Sequence, residues 1–420
     1  MELSTSLYLL LLLSVSAAVV PRTAASIGIN YGQIANNLPS PDRAVPLVKS
    51  IGATKVKLYD ADQNVLCAFA KTGIEFTVGL GNEYIVQMRD VNRARAWVKN
   101  KVQAFLPDTK ITSIAIGNEV LTSNDTGLVD SLIPVMENLH TALAELGLDR
   151  QVTVTTSHSL AVLETSYPPS TGRFRRDLAG YMARVLDFQC RTGSPIMINA
   201  YPYFAYQASP NQVTLDFVLF QPGHGILDPS TNLQYDNMLF AQMDAFYSAL
   251  NAIGYKNLTV HVSETGWPSK GDANEIGATV ENAKKYNGNL IKLVSQKKGT
   301  PMRPDQSFNI YIFALFNENL KPGPTSERNY GLFNADGTAV YSLGIPSKGS
   351  STGNTTGSGG GSGGGSGGGS GSGSGGGGGV TPIWLPPPNG YLPIDSGSER
   401  LEELVGTFAV LFVALSYLVF

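Results

Sequence analysis

The stretch Ser113-Ile-Ala-Ile-Gly-Asn-Glu119 is followed, after a polar turn, by Asp130-Ser-Leu-Ile-Pro-Val-Met-Glu-Asn-Leu-His-Thr-Ala-Leu-Ala-Glu-Leu146. The first part is a short apolar run ending in polar residues, as in a buried strand. The second spaces its apolar residues three and four apart, as in an amphipathic helix. The couplet recurs along the chain. Strands are predicted at Ile27–Tyr31, Lys55–Tyr59, Glu75–Leu80, Ser113–Gly117, Val152–Thr156, Met197–Tyr201, Thr259–Ser263 and Asn309–Phe316. Further helices are predicted at Tyr235–Ile253 and Ala278–Gln296. Strands alternating with helices imply parallel strands joined by helical crossovers. Eight such units give an α/β fold, a (β/α)8 TIM barrel with some long loops, in a single catalytic domain over residues 27–346. An open doubly wound sheet is the alternative. It usually shows a Gly-rich phosphate turn after its first strand, whereas here that strand runs into Tyr31-Gly-Gln-Ile-Ala-Asn36.

A barrel does its chemistry where its strands end. The polar or aromatic residues at the predicted ends are Tyr31, Asp60, Asn118, Glu119, His158, Tyr201, Glu264 and Glu318. Glu119 and Glu264 are two carboxyls brought from separate strands, the minimum equipment for cleaving a glycosidic bond. Ala115 and Gly117 share a strand face with Glu119 and leave room beside it. Asn118 offers a donor and an acceptor to a sugar hydroxyl. Glu264 is followed by Thr265-Gly-Trp-Pro268, so Trp267 either presents a ring to a sugar or plugs a loop. Tyr201 suits a hydroxyl or the attacking carboxylate. Glu318 and Lys321 either form a plain ion pair or hold a charge or a substrate hydroxyl. The histidines His140, His158, His224 and His261 lack metal-ligand spacing, and His261 alternates away from Glu264 toward the helical layer. No metal is expected.

Composition narrows the remaining possibilities. The net charge is −3, and no basic patch suggests a nucleic-acid partner. Residues 1–26 read as a secretory signal peptide, with an apolar Leu7–Val20 and small residues near Ala25; cleavage after Ala18 is the alternative. Gly357–Gly379 contains only Gly and Ser, then Val380-Thr-Pro-Ile-Trp-Leu-Pro-Pro-Pro388 is stiffer; residues 347–396 form a linker without a core. Residues 397–420 carry a polar spacer and an apolar tail, the pattern of a glycolipid (GPI) attachment signal. Ser396 is the attachment candidate, with Asp395, Gly397 or an earlier residue as alternatives. A retained membrane helix lacks the charged flank that would orient it. Asn124, Asn257 and Asn354 open glycosylation sequons. Cys67 and Cys190 allow either a disulfide or two buried thiols.

Several motifs in order resemble plant glycoside hydrolase family 17, the glucan endo-1,3-β-glucosidases. They are Ile27-Gly-Ile-Asn-Tyr-Gly-Gln-Ile-Ala-Asn-Asn-Leu-Pro39, Ile116-Gly-Asn-Glu119, Asn199-Ala-Tyr-Pro-Tyr-Phe204, Ser263-Glu-Thr-Gly-Trp-Pro268 and Phe316-Asn-Glu-Asn-Leu-Lys321. The resemblance implies that Glu119 is the proton donor and Glu264 the nucleophile. It implies that Tyr31, Asn118, Tyr201, Glu318, Lys321 and Glu327 line the cleft. It implies retention of anomeric configuration, with carboxyls about 5–5.5 Å apart. The expected substrate is a β-1,3-glucan such as callose, hydrolysed without cofactor. The alternatives are a mixed-linkage β-1,3;1,4-glucanase, a glucanosyltransferase, or a glucan-binding protein with little turnover. A monomer is expected, secreted and held on the outer face of the plasma membrane. Callose turnover at cell–cell channels, defence and wall remodelling all suit such an enzyme.

Overall fold

The protein's computed structural model describes residues 27–344, apart from His224. The predicted signal peptide, linker, attachment signal, Asn354 and Ser396 lie outside the described residues. Eight parallel strands close into one barrel. They are Ile27–Asn30, Lys55–Lys57, Glu75–Leu80, Lys110–Asn118, Thr153–Ser159, Ile196–Asn199, Val260–Thr265 and Ile310–Ile312. Each pairs with the next, and the eighth closes on the first through Ile27–Ile310 and Ile29–Ile312. The predicted strands and helices are all present, with shifted ends. The fourth strand starts three residues earlier than predicted, at Lys110.

Alternation along the strands builds two layers. Outward residues such as Ile29, Val56, Leu58, Phe76, Val78, Ile198 and Val262 are buried against the helical ring. The inward set is polar. Lys55 pairs with Glu75, and Lys110 reaches the same carboxylate at 2.8 Å. Thr77 Oγ1 lies 3.3 Å from the Tyr311 hydroxyl. Gly28 makes room for that ring, since a Cβ there would sit 2.4 Å from Tyr311 Cδ1.

Helices start on side-chain caps that satisfy their first N–H groups. Asp62, Asp90, Asp125, Asn237 and Thr279 each accept from the backbone of the helix that follows. The helix Met238–Ala252 is apolar nearly all round. Such a helix must be covered on more than one side. A two-stranded excursion, Leu163–Thr165 with Arg173–Phe174, lies against it. A Cβ on Gly172 would sit 1.9 Å from the Ala245 carbonyl, so the two backbones touch. Sequence periodicity predicts neither this excursion nor the hairpin Ile226–Asp228 with Leu233–Tyr235.

The structure corrects the expected places of two histidines, His158 at a strand end and His261 by alternation. His158 shares register with Ile198, while Ser157 and Ser159 share it with Met197 and Asn199. Ser157 Oγ meets Met197 Sδ inside the barrel, so His158 faces the helices rather than the mouth. It is buried without a hydrogen bond, and burial lowers its pKa to about 4. His261 lies inside the barrel rather than in the helical layer. A register shift between Val262 and Glu264 changes the parity, and His261 is close enough to Lys55 for that charge to help burial lower its pKa.

The cysteines are corrected as well. Cys67 and Cys190 are free and exposed, neither bonded nor buried. The sequon residues Asn124 and Asn257 are exposed.

Candidate active site

Glu119 follows the fourth strand and Glu264 sits in the seventh. Both are almost fully buried at the C-terminal end of the barrel. Asn199, from the end of the sixth strand, lies between them. Its Nδ2 donates to Glu119 Oε1 at 2.8 Å and to Asn118 Oδ1 at 3.2 Å. Its Oδ1 accepts from Ser263 Oγ, next to Glu264, at 2.6 Å.

The environments of the two carboxyls differ. Glu264 is held by charge: Lys57 Nζ lies 2.9 Å from Oε1, and the Tyr201 hydroxyl donates to Oε2 at 3.0 Å. Lys57 is itself buried and sits 4.3 Å from the centre of the Tyr59 ring. Glu119 has no cation in contact. Burial, with the nearby Glu264 carboxylate, pushes its pKa up to about 7; the Asn199 amide and Lys57 pull the other way.

The fourth strand ends in a backbone that few residues adopt. Gly117 has φ +60° and Glu119 φ +55°, both left-handed. Asn82 clamps the residue between them, accepting from Asn118 N at 2.8 Å and donating to Asn118 O at 3.2 Å. A Cβ on Gly117 would strike Val120, Asn82 and Ile85. Gly117 therefore serves the turn and the approach of Asn82, and not, as alternation suggests, the space beside Glu119.

Beyond the eighth strand, Glu318 Oε1 accepts from Ile34 N at 2.8 Å. Gly32 is needed here, since a Cβ would lie 2.5 Å from the Glu318 carboxylate. Lys321 pairs with Glu327 at 3.6 Å and lies 4.2 Å from the centre of the Phe313 ring. The plain Glu318–Lys321 pair considered from sequence is thus replaced by a Lys321–Glu327 pair. Burial raises the pKa of both Glu318 and Glu327, against the pull of Lys321. Tyr31 is buried, with its ring 5.7 Å from Phe316, and its backbone N–H bonds Lys57 O at 2.9 Å.

Of the candidates, Asn118, Glu119, Tyr201, Glu264, Glu318, Lys321 and Glu327 gather at one end of the barrel. Trp267 does not join them. It is fully buried, its indole N–H donates to Gly277 O at 2.8 Å, and Tyr203, Tyr206 and Tyr286 enclose its ring. The plug reading of Trp267 holds and the sugar platform does not. Sequence reasoning missed Lys57 and gave Asn199 no role. The alternation of Lys57 with Val56 and Leu58 in the predicted strand Lys55–Tyr59 was the available signal, because it sends Lys57 to the face opposite those apolar residues. Among the described residues, no cluster of His, Cys, Asp or Glu is suited to a metal ion.

Residues 27–345 match the model of glycosyl hydrolases family 17. The chain belongs to that family. The family 17 barrel is 62% identical over 336 residues to glucan endo-1,3-β-glucosidase 10 of Arabidopsis thaliana, covering 79% of each chain. It is 59% identical to glucan endo-1,3-β-glucosidase 11 of the same plant, covering 80% of this chain and 79% of the relative. Among solved structures it resembles CJP38, a β-1,3-glucanase and pollen allergen of Cryptomeria japonica. The identity is 41% and the TM-score 0.72, over 76% of this chain and 98% of the other. A structure described among two plant β-glucan endohydrolases with distinct substrate specificities matches at 37% identity and TM-score 0.70, over 76% of this chain and all of the other.

Proposed function

We propose that this family 17 glycoside hydrolase cleaves β-1,3-glucan internally by double displacement, with Glu119 as acid–base and Glu264 as nucleophile. The observation that carries the assignment is the contrast between the two carboxyls. A pair of acids whose surroundings drive their protonation apart divides into an acid and a nucleophile. Glu119, with its pKa near 7, keeps its proton below neutrality and delivers it to the leaving oxygen. Glu264, between the Lys57 ammonium and the Tyr201 hydroxyl, attacks the anomeric carbon as a carboxylate. As the glycosyl–enzyme bond forms, its negative charge is lost, and Lys57 and Tyr201 remain placed to stabilise the carboxylate on release. Glu119, now ionised, takes a proton from the incoming water. Asn118, Tyr201, Glu318, Lys321 and Glu327 surround the sugar being transferred. The names of the close relatives support the β-1,3 linkage.

The test is reducing-end release from purified β-1,3-glucan. Glu119→Gln and Glu264→Gln are each expected to lower the rate by at least ~10³-fold, the scale of a lost acid–base or nucleophilic step. Near-normal activity in either variant removes that residue from its role. Proton NMR of the first product anomer reports retention, and inversion rejects the double displacement. Products from β-1,3- and β-1,3;1,4-glucan, with and without an acceptor oligosaccharide, separate hydrolysis of one linkage from the other and from transfer.

The chain's ends support a secreted enzyme tethered to the outer face of the plasma membrane by a GPI anchor. Release of activity from intact cells by a phosphatidylinositol-specific phospholipase is expected. Retention on the membrane after that treatment excludes the anchor.

A further inference from the structure

Glu327 meets Lys321 from the one-turn helix Thr325–Arg328, whose capping residue Pro324 supplies no side-chain cap. The first N–H groups of such a turn find no partner within it. Here the loop after the seventh strand takes them. Asp272 accepts from Thr325 N at 3.0 Å and from the Thr325 hydroxyl. Glu275 accepts from Ser326 N at 3.0 Å and from the Ser326 hydroxyl. The two residues just before Glu327 therefore hang from two carboxylates of another loop. The far end of the turn is held by the same loop, since Asn329 O accepts from Ser269 N at 2.8 Å and from Ser269 Oγ at 2.9 Å.

The holding loop is itself fixed. An antiparallel bridge between Lys270 and Thr279 closes it. Gly277 O accepts from the buried Trp267 indole and from Asn282 Nδ2 at 3.0 Å. Glu275 folds back to accept from Asp272 N at 2.8 Å. Gly271 permits that return, since a Cβ there would lie 2.7 Å from Glu275 Cβ. Glu275 is buried, and a buried carboxylate is costly unless donors satisfy it. Its donors all belong to these two loops. What the turn aims is close to the chemistry. Lys321, the partner of Glu327, sits on the Phe313 ring, which packs 6.2 Å from the ring of Tyr201, the donor to Glu264. Burial raises the Glu327 pKa, Lys321 opposes it and Glu264 adds to it, so Glu327 stands within electrostatic reach of the nucleophile.

We infer that Asp272 and Glu275 are positioning residues, a brace from the seventh-strand loop that holds Glu327 against Lys321 beside the carboxyl pair. The inference rests on the activity proposed above. The test measures kcat/KM on laminarin with purified enzyme. Glu275→Ala is expected to lower it at least ~10-fold, since a displacement of about 1 Å can cost ~10²-fold. Glu275→Gln is expected to stay within about 3-fold of the wild type, because its amide oxygen can accept both backbone N–H groups while its NH2 donates to the Ser326 hydroxyl. A Glu275→Gln enzyme as slow as Glu275→Ala would assign the effect to charge and overturn the brace. The Glu327→Gln background separates aiming from stability. If Glu275 acts through Glu327, adding Glu275→Ala there should cost no more than about 3-fold, as residues acting through one another are not additive. An equal loss in both backgrounds overturns the proposal, and so does a folded Glu275→Ala enzyme with wild-type kcat/KM. Asp272 is exposed, so Asp272→Ala carries the same cycle should Glu275→Ala not fold. Its loss is expected to shrink in the Glu327→Gln background, and an undiminished loss overturns the brace. A wild-type enzyme that releases no reducing ends from any β-1,3-glucan defeats the activity itself, a separate outcome.

Discussion

At the scale of single residues, Lys57 decides how the two carboxyls share charge. Its ammonium is buried, 2.9 Å from Glu264, and it lowers the Glu119 pKa from a distance. Removing one partner of a buried ion pair costs about 3–5 kcal/mol, because the other charge is left uncompensated. Lys57→Met is therefore expected to lower the melting temperature and to cut kcat by at least ~10²-fold. The pH profile supplies a sharper readout. Without Lys57, Glu119 loses a pull toward lower pKa, so the alkaline limb moves up. An alkaline limb that stays where the wild type's is would show that the lysine is structural only. Sequence made the two glutamates legible because each ends a strand in a polar cluster. Lys57 was hidden because a lysine in a short strand usually reads as solvent-facing, and only the closed barrel turns it inward.

At the scale of elements, the end of the fourth strand positions the acid. Two left-handed residues and the Asn82 clamp turn the chain so that Glu119 meets Asn199. Left-handed backbone in an L-residue costs roughly 1–2 kcal/mol, and a Cβ at Gly117 also collides with three neighbours. Gly117→Ala is expected to destabilise the domain by on the order of 2–4 kcal/mol, combining that strain with overpacking. Activity per folded molecule should fall with it, as scored by kcat of the fraction that survives gel filtration. Full specific activity in the folded fraction would mean that the turn does not aim Glu119. The strands themselves were readable from alternation and helical spacing. Their bulges were not. The shift near Val262 reverses the side on which His261 lies, and period-two counting cannot register an extra residue. The hairpins over Met238–Ala252 escaped for a related reason: strands of two or three residues are too short to show a period.

At the scale of the whole molecule, the site is held at a cost to stability. Glu119 has an ordinary carboxyl value of 4.5 when unfolded and about 7 when folded. A raised pKa means that the folded state holds the proton more tightly. The resulting stabilisation is complete below pH 4.5 and is lost as pH rises toward 7. Above neutrality the fold must carry a buried carboxylate. Glu119→Gln, which cannot ionise, should gain on the wild type across that interval, by on the order of 2–3 kcal/mol at pH 8. Melting curves of both proteins at pH 4 and pH 8 check this, and a constant difference between them would contradict it. Such a variant, more stable and inactive, is what a strained functional site leads one to expect.

The two exposed thiols have a practical consequence. Cys190 stands near the end of the helix Ala179–Thr192, and a crossover helix runs away from the mouth toward the opposite rim. Cys67 is close to the same rim, next to Leu66, whose carbonyl accepts from Thr109 just before the fourth strand begins. Maleimide coupling through either position would fix the protein to a sensor chip by its base. The cleft would then face the flowing polysaccharide, unobstructed by the support.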